Sequence, residues 1–230
     1  MSATNITLIS DSHNQHNKLD VGSGDLIIHS GDATSKGREP EVQAFLKWYG
    51  NLDFETKIFV PGNHELLWEA NPKYHADMCD LYGVTLLNDS GTTYRGIKIW
   101  GSPVQPEFHG WAFNRARTKA EVATTGHSFI GPHWQAIPSD TEILVTHGPP
   151  YGILDMAGGC LPAGCRLLLE RVKEIKPVLH VFGHLHEARG IHDDGDTVFV
   201  NASSLDLRYQ PYPDPVFKLE WESLKRGIVD

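Results

Sequence analysis

Gly183-His184-Leu185-His186 sets two imidazoles two residues apart, directly after the apolar run Val178-Leu179-His180-Val181-Phe182. Positions two apart point about 200° away from one another on a helix but share a face at the end of a strand, so the spacing reads as a strand-end ligand pair. Neutral imidazole is the commonest metal ligand among side chains. In a chain of thirteen histidines one such pair carries little weight, and four further segments add to it. Asp11 and His13 follow the run Ile6-Thr7-Leu8-Ile9-Ser10, and Asp32 follows Asp25-Leu26-Ile27-Ile28-His29. Asn63 and His64 follow Lys57-Ile58-Phe59-Val60, and His147 follows Thr141-Glu142-Ile143-Leu144-Val145. The strand ends at 11, 32, 63, 147 and 184 are far enough apart for each segment to have its own strand, so convergence at one sheet edge is natural.

Two carboxylates, one amide oxygen and several imidazoles form a mixed nitrogen and oxygen donor set without thiolate. Such a set suits Mn, Fe or Zn at five to six coordination better than a closed structural zinc. Seven donors are too many for one ion, whereas two ions roughly 3.5–4 Å apart, sharing one carboxylate, use them all. Two divalent cations against two carboxylates leave a positive centre that attracts anions. The same charge brings bound water towards a pKa of about 7, which supplies a hydroxide nucleophile at neutral pH.

The elements that must position these donors are legible from periodicity. The nearly continuous apolar runs predict strands buried on both faces. Between them, Pro40 and the acidic residues around it open a helix in which Val42, Phe45, Leu46 and Tyr49 recur at helical spacing until Gly50. Asn71-Pro72 introduces a second helix to about Tyr82, and residues 165–175 a third through Leu168, Leu169 and Val172. Residues 84–87, 92–94 and 97–100 predict strands joined without a helix, the first two by a Ser90-Gly91 turn, so the sheet there is expected to be partly antiparallel. Further strands are expected at 197–200 and 215–219, and a short helix at 118–125. Residues 101–133 are otherwise irregular, which suits either a lid or a surface excursion pinned by its aromatics.

Composition bounds the rest. The 230 residues predict one domain over 1–230, an α/β chain with no need of a structural metal for its core. A net charge of −9 argues against a nucleic-acid-binding surface but not against a small phosphate ester. Cys79, Cys160 and Cys165 form no CxxC pair and suit a reducing compartment as buried small hydrophobes. Neither a signal sequence nor a window of ~18 apolar residues is present, so a cytoplasmic protein without membrane contact is expected.

In this order, Asp11/His13, Gly31-Asp32, Gly62-Asn63-His64-Glu65, His147 and Gly183-His184-Leu185-His186 resemble the D-x-H, G-D, G-N-H-[DE], later His and G-H-x-H segments of the calcineurin-like metallophosphoesterase superfamily. The resemblance runs from about Thr7 to Leu219. It implies two mixed sheets face to face with helices outside, in four αββα layers. It also implies a first metal on Asp11, His13, Asp32 and His186, and a second on Asp32, Asn63, His147 and His184, with Asp32 bridging. His64 would act as the catalytic residue facing the leaving oxygen, donating a proton to it or stabilising its charge, and Glu65 would anchor its loop or orient a histidine. Mn is the first choice of ion, with Fe, Zn or Co as alternatives. Ala33-Thr34-Ser35 after Asp32 lacks the D-R-G of protein Ser/Thr phosphatases, and the tyrosine that purple acid phosphatases place on iron is missing too. The loop from Gly101 to Asn114, with Thr146 to Pro150 and Asn201-Ala202-Ser203, is similar to the metallophosphoesterase-domain-containing branch. That branch suggests hydrolysis of a nucleotide or cyclic nucleotide, diester before monoester; a nucleotide-sensing metalloprotein with little turnover is the alternative. His16, His109, His127 and His133 lie in polar stretches where exposure is expected, and Arg115, Arg117 and Lys119 read as a solvated basic face. His29 and His180, inside apolar strands, read as core.

Overall fold

Apolar runs bounded by Gly, Pro and polar residues become the central strands in the computed structural model, which describes residues 3–227. The first half forms β1 (Asn5–Ile9), β2 (Gly24–His29), α1 (Glu39–Gly50), β3 (Phe54–Phe59), α2 (Leu66–Ala70) and α3 (Pro72–Leu81). Next come β4 (Thr85–Leu86), β5 (Ser90–Tyr94) and β6 (Ile97–Ser102), then the short β7 (Gln105–Pro106), β8 (Asn114–Arg115), α4 (Val122–Thr125) and α5 (Gly131–Gln135). The remainder is β9 (Ile143–Thr146), β10 (Met156–Ala157), β11 (Leu161–Pro162), α6 (Arg166–Ile175), β12 (Leu179–Phe182), β13 (Gly190–Asp193), β14 (Val198–Asn201), β15 (Phe217–Glu220) and α7 (Trp221–Leu224).

Two mixed sheets result. One has the order β15-β1-β2-β3-β4 and the other β13-β14-β12-β9-β6-β5. In the first only β15 is antiparallel to its neighbour; in the second β13 and β5 are. Side-chain alternation sorts the apolar residues into three cores. Leu26 and Ile28 of β2 meet Ile143 and Val145 of β9 and Val181 of β12 between the sheets. Ile27, one residue out of phase, packs with Val42, Phe45, Leu46 and Tyr49 of α1 on the outer face. Leu144 and Phe182 do the same on the other outside, against Trp134 of α5 and Leu168 and Val172 of α6. Helix, sheet, sheet, helix is therefore what the alternation requires. Each such aliphatic side chain contributes roughly 1.5–3 kcal/mol on burial. The Tyr49 hydroxyl fixes α1 on its sheet, reaching the Ile58 carbonyl at 2.8 Å.

Register brings the chemistry to one edge. Ile9, His29 and Phe59 stand side by side across β1, β2 and β3, so Asp11, Asp32 and Asn63 leave their strands at one level. Val145 pairs with Val181, and Phe182 with Asn201, which does the same for His147 and His184. A bridge between Ser10 and Ser203 joins the two edges.

The expected Ser90-Gly91 turn is replaced by a crossing between sheets. Thr85 and Leu86 pair with β3, whereas Ser90 and Gly91 already belong to β5, opposite Gly101 and Trp100. Buried Leu87 joins the inter-sheet core, which carries the chain across. Several short elements carried no periodic signal, among them α2, α5, α7, the small β10–β11 hairpin and β13, whose Gly190–Asp193 is largely exposed. Among the described residues no helix is long and apolar enough to cross a membrane.

Candidate metal centre

At this edge the backbone bends sharply. Asp11, His13, Asp32 and His184 all have positive φ, at 52°, 37°, 54° and 68°. Non-glycine residues hold that conformation only when their surroundings impose it, at a cost of about 1–3 kcal/mol each. The neighbouring glycines are required by close approach. A Cβ on Gly62 would come within 2.7 Å of His147 Cε1, and one on Gly31 within 2.8 Å of the Gly62 Cα.

The predicted residues come together. His186 Nε2 lies 3.5 Å and His13 Nε2 4.0 Å from Asp11 Oδ1, and the two nitrogens are 3.2 Å apart. Asp32 Oδ2 stands between two groups, 3.8 Å from His13 Nε2 and 3.4 Å from His147 Nε2. His147 Nε2 is also 2.9 Å from Asn63 Oδ1. Asp11, His13 and His186 form one cluster in which single ligand atoms all lie within 4.8 Å, and Asp32, His147 and His184 another. His64, with Nε2 3.9 Å from Asp32 Oδ2, forms a third grouping with His13 and Asp32.

Backbone carbonyls orient the rings. A carbonyl only accepts, so Nδ1 of His147 donates to Ser30 O at 3.0 Å and Nδ1 of His186 to Asp206 O at 3.0 Å. In the neutral ring each then turns a bare Nε2 lone pair to the centre, the form a metal ligand needs. Asp11 accepts the His184 N–H at 3.0 Å and the Ser203 hydroxyl at 3.0 Å, and Asp32 Oδ1 accepts the His64 N–H at 2.8 Å. Asp32 Oδ2 is left facing the centre.

Charge shows what fits there. Asp11 and Asp32 are buried, yet no Lys or Arg among the described residues lines the cleft. Burial alone would raise both carboxyls; for Asp11 the hydrogen bond and charge of His186, and for Asp32 the charge and hydrogen bond of His147, hold them below the usual range. The converse appears on the histidines. Burial opposes protonation of His147 and His186, but Asp32 and Asp11 raise them to about 9 each. Two imidazolium ions thus balance two carboxylates, and divalent cations on the same nitrogen and oxygen donors would replace them. His13 and His184, which burial lowers to about 4, are already neutral ligands in form. The donor set therefore fits metal ions.

Glu65 anchors its loop. It accepts the N–H groups of Asp32, Gly62 and Thr34 at 2.9, 2.7 and 3.0 Å, and the Thr34 hydroxyl at 2.8 Å. Burial and the charge of Asp32 push its carboxyl upward, against the pull of those four donors.

Other expectations require correction. His16 is buried, not exposed, because the 3-10 turn at His16–Lys18 lays it against Phe45 and Trp48 of α1. Arg115 is half-buried on Glu69 at 2.7 Å and His133 at 3.1 Å, not part of a solvated face. Cys160 is exposed, in contrast to buried Cys79 and Cys165, and all three are free. Residues to which the sequence assigns no role also face the cleft or its candidate ligands. Tyr209 stands edge-on to His13 with ring centres 4.9 Å apart, and Trp111 stacks on His64. Ser203 belongs to the Asn201-Ala202-Ser203 segment, and nothing in the sequence points its hydroxyl at Asp11.

Known proteins share this architecture. Residues 4–188 match the family described as calcineurin-like phosphoesterase. The chain is 37% identical over 238 residues to Metallophosphoesterase domain-containing protein 1 of Homo sapiens, covering 93% of this chain and 70% of that one. The Mus musculus protein of the same name matches to the same extent, at 37% identity. Among solved structures, phosphopantetheinyl hydrolase from Mycobacterium tuberculosis superimposes with a TM-score of 0.62 at 19% identity, covering 94% of this chain and 96% of that one. At that identity the likeness concerns the fold.

Proposed function

The chain belongs to the calcineurin-like phosphoesterase family, and from that premise we propose that it is a two-metal hydrolase of nucleotide phosphodiesters, cyclic nucleotides among them. The observation that supports this most is the placement of Asp32 Oδ2, one carboxylate oxygen 3.8 Å from His13 and 3.4 Å from His147. In this reading Asp11, His13, Asp32 and His186 hold one ion, and Asp32, Asn63, His147 and His184 the other, with manganese the first choice. Those residues would hold the ions, and the chemistry supplied there would be polarisation of a phosphoryl group and activation of water at neutral pH.

The protein's own side chains do the rest. His64, anchored through Nδ1 on the Ser35 carbonyl at 2.7 Å, turns Nε2 to the cleft and gives the proton to the departing oxygen. The absence of Lys and Arg from the described cleft favours a diester, which carries one negative charge, over a dianionic monoester. Phe108 and Tyr209, both 43% exposed at the rim, offer faces and edges to a flat base. Free thiols, one of them exposed, support a cytoplasmic setting.

The test is metal-stripped protein reconstituted with Mn, Fe, Zn or Co and offered phosphomonoesters, cyclic nucleotides and other phosphodiesters. Metal-dependent release of product is expected, faster for diesters. Stoichiometric metal and tight nucleotide binding with no product after prolonged incubation would make the protein a nucleotide sensor instead.

A further inference from the structure

The irregular stretch between β6 and β9 has a definite place in the fold. Residues 105–116 turn back over the Asn63–Glu65 turn and are fastened both to it and to α2. The Ala112 N–H donates to Asn63 O at 3.1 Å, and the Phe113 N–H to Glu69 Oε2 at 2.7 Å. Ala112 and Phe113 are buried in the outer core beside α1, Phe113 with a φ of 57°. Arg115 clips the same loop to Glu69 and passes on to His133, whose Nδ1 meets Asp89 at 2.7 Å. Within the loop the Asn114 amide donates to His109 O at 2.8 Å and its oxygen accepts the Phe108 N–H at 3.1 Å. The loop is thus closed on itself and rigidly seated.

What it presents is Trp111. The indole lies over the His64 imidazole with ring centres 4.0 Å apart and planes 22° from parallel. On another side the His13 ring meets His64 edge-on at 4.6 Å. The hydrogen bond from Nδ1 to Ser35 O fixes one atom of the imidazole but leaves the ring free to tilt about it. A stacked face removes that freedom. No other aromatic stacks on this ring among the described residues.

We infer that Trp111 is a positioning residue for the leaving-group step: by holding the His64 ring plane, the loop keeps Nε2 aimed at the oxygen that departs. This rests on the reading of His64 as the proton donor and adds the reason that residues 105–116 exist in this form. Misplacement of an acid by about 1 Å costs on the order of 10²-fold in rate.

The experiment compares wild type, Trp111→Ala, Trp111→Phe, His64→Ala and the double variant, all manganese-loaded, on a diester with an alkoxide leaving group and one with nitrophenolate. Trp111→Ala is expected to lower kcat at least tenfold for the alkoxide with KM within about twofold, and to change the nitrophenolate rate little. Trp111→Phe should recover most of the loss, and the double variant should be no slower than His64→Ala, since both act through one ring. In zinc-loaded protein the His64 ring protons should carry an upfield ring-current shift that Trp111→Ala abolishes. Equal losses on both substrates, a KM effect alone, additive losses in the double variant or unchanged His64 resonances would each overturn the inference. If His64→Ala itself shows no leaving-group dependence, the acid reading falls instead, while the resonance shift still reports whether the stack exists.

Discussion

His180 lies inside β12, which leads to His186 and pairs with β9, the strand that leads to His147; His29 lies inside β2, which leads to Asp32, and all four rings are buried. Their chemistry is opposite. Burial lowers His29 and His180 to about 3 each, whereas Asp32 and Asp11 outweigh burial at His147 and His186 and raise them to about 9. His180 packs between Phe182 and Phe199 with ring centres at 5.0 and 5.8 Å, and shares one hydrogen bond, with Thr146 at 2.9 Å. His147, one residue beyond that threonine, meets a carboxylate and an amide oxygen. A residue or two along a strand therefore separates an apolar interior from a cluster of donors that could hold a metal ion. Burial alone does not make a buried histidine functional; a buried carboxylate without Lys or Arg beside it does.

The largest test of that distinction removes the shared charge. Asp32→Asn keeps the shape but deletes the carboxylate between the two clusters. Metal analysis should show both ions weakened, with activity down on the order of 10³-fold or more. Retention of both ions at full occupancy would show that Asp32 does not link the clusters. A smaller and more selective loss is expected for His184→Asn, because His184 groups only with Asp32 and His147. One ion should be lost and the other kept; two retained ions would break the division between the clusters.

Much of this site was legible because parallel strands end at one edge and the donors sit in short polar segments just beyond each apolar run. Gly31, Gly62 and Gly183 marked the places where backbone and ligands crowd together, and Glu65 was readable as an anchor beside them. Residues reaching the site from elsewhere were less legible. Tyr209 arrives from a turn built on Asp206, whose side chain accepts the N–H groups of Arg208 and Gln210, and such a turn has no period to read. Trp111 sits in a loop seated by Glu69, Arg115 and Asn114, contacts that depend on tertiary approach. The polar stretch around His16 suggested solvent, but the large aromatics of α1 cover it. The crossing from β4 to β5 was hidden because a turn and a change of sheet have similar local composition.

Proton linkage separates His147 and His186 from His29 and His180 in one measurement. In metal-free protein His147 and His186, raised above the unfolded value of 6.5, add stability that is complete below pH 6.5 and disappears as pH rises through about 9. His29 and His180, depressed to about 3, do the reverse: the unfolded chain takes up protons below pH 6.5 while the folded chain does not, so stability falls as pH drops from 6.5 towards 3. Urea unfolding from pH 4 to 9 should therefore give a maximum near neutrality, and saturating metal should lift the alkaline side. A metal-free protein that gains stability between pH 7 and 9 would contradict the assignment of His147 and His186.

The smallest expected effect is also the most specific. Thr146 Oγ1 donates to Gly148 O at 2.8 Å, so the His180 ring reaches that oxygen through Nε2–H and leaves Nδ1 buried without a partner. Such an orphan acceptor costs about 1–3 kcal/mol, comparable with the hydrogen bond made at the other end of the ring. His180→Leu deletes both, keeps the bond from Thr146 to Gly148 and suits the Phe182 and Phe199 surroundings. Its stability at pH 7 should lie within about 1 kcal/mol of wild type. At pH 5 the variant should be the more stable by about 2 kcal/mol relative to that baseline, because its unfolded state no longer binds a proton there. The readout is the difference between the two unfolding free energies at the two pH values, in metal-loaded protein so that the centre stays fixed. An unchanged difference would mean that His180 protonates within the fold, and the separation between core and centre histidines would then fail at the residue where it is drawn most sharply.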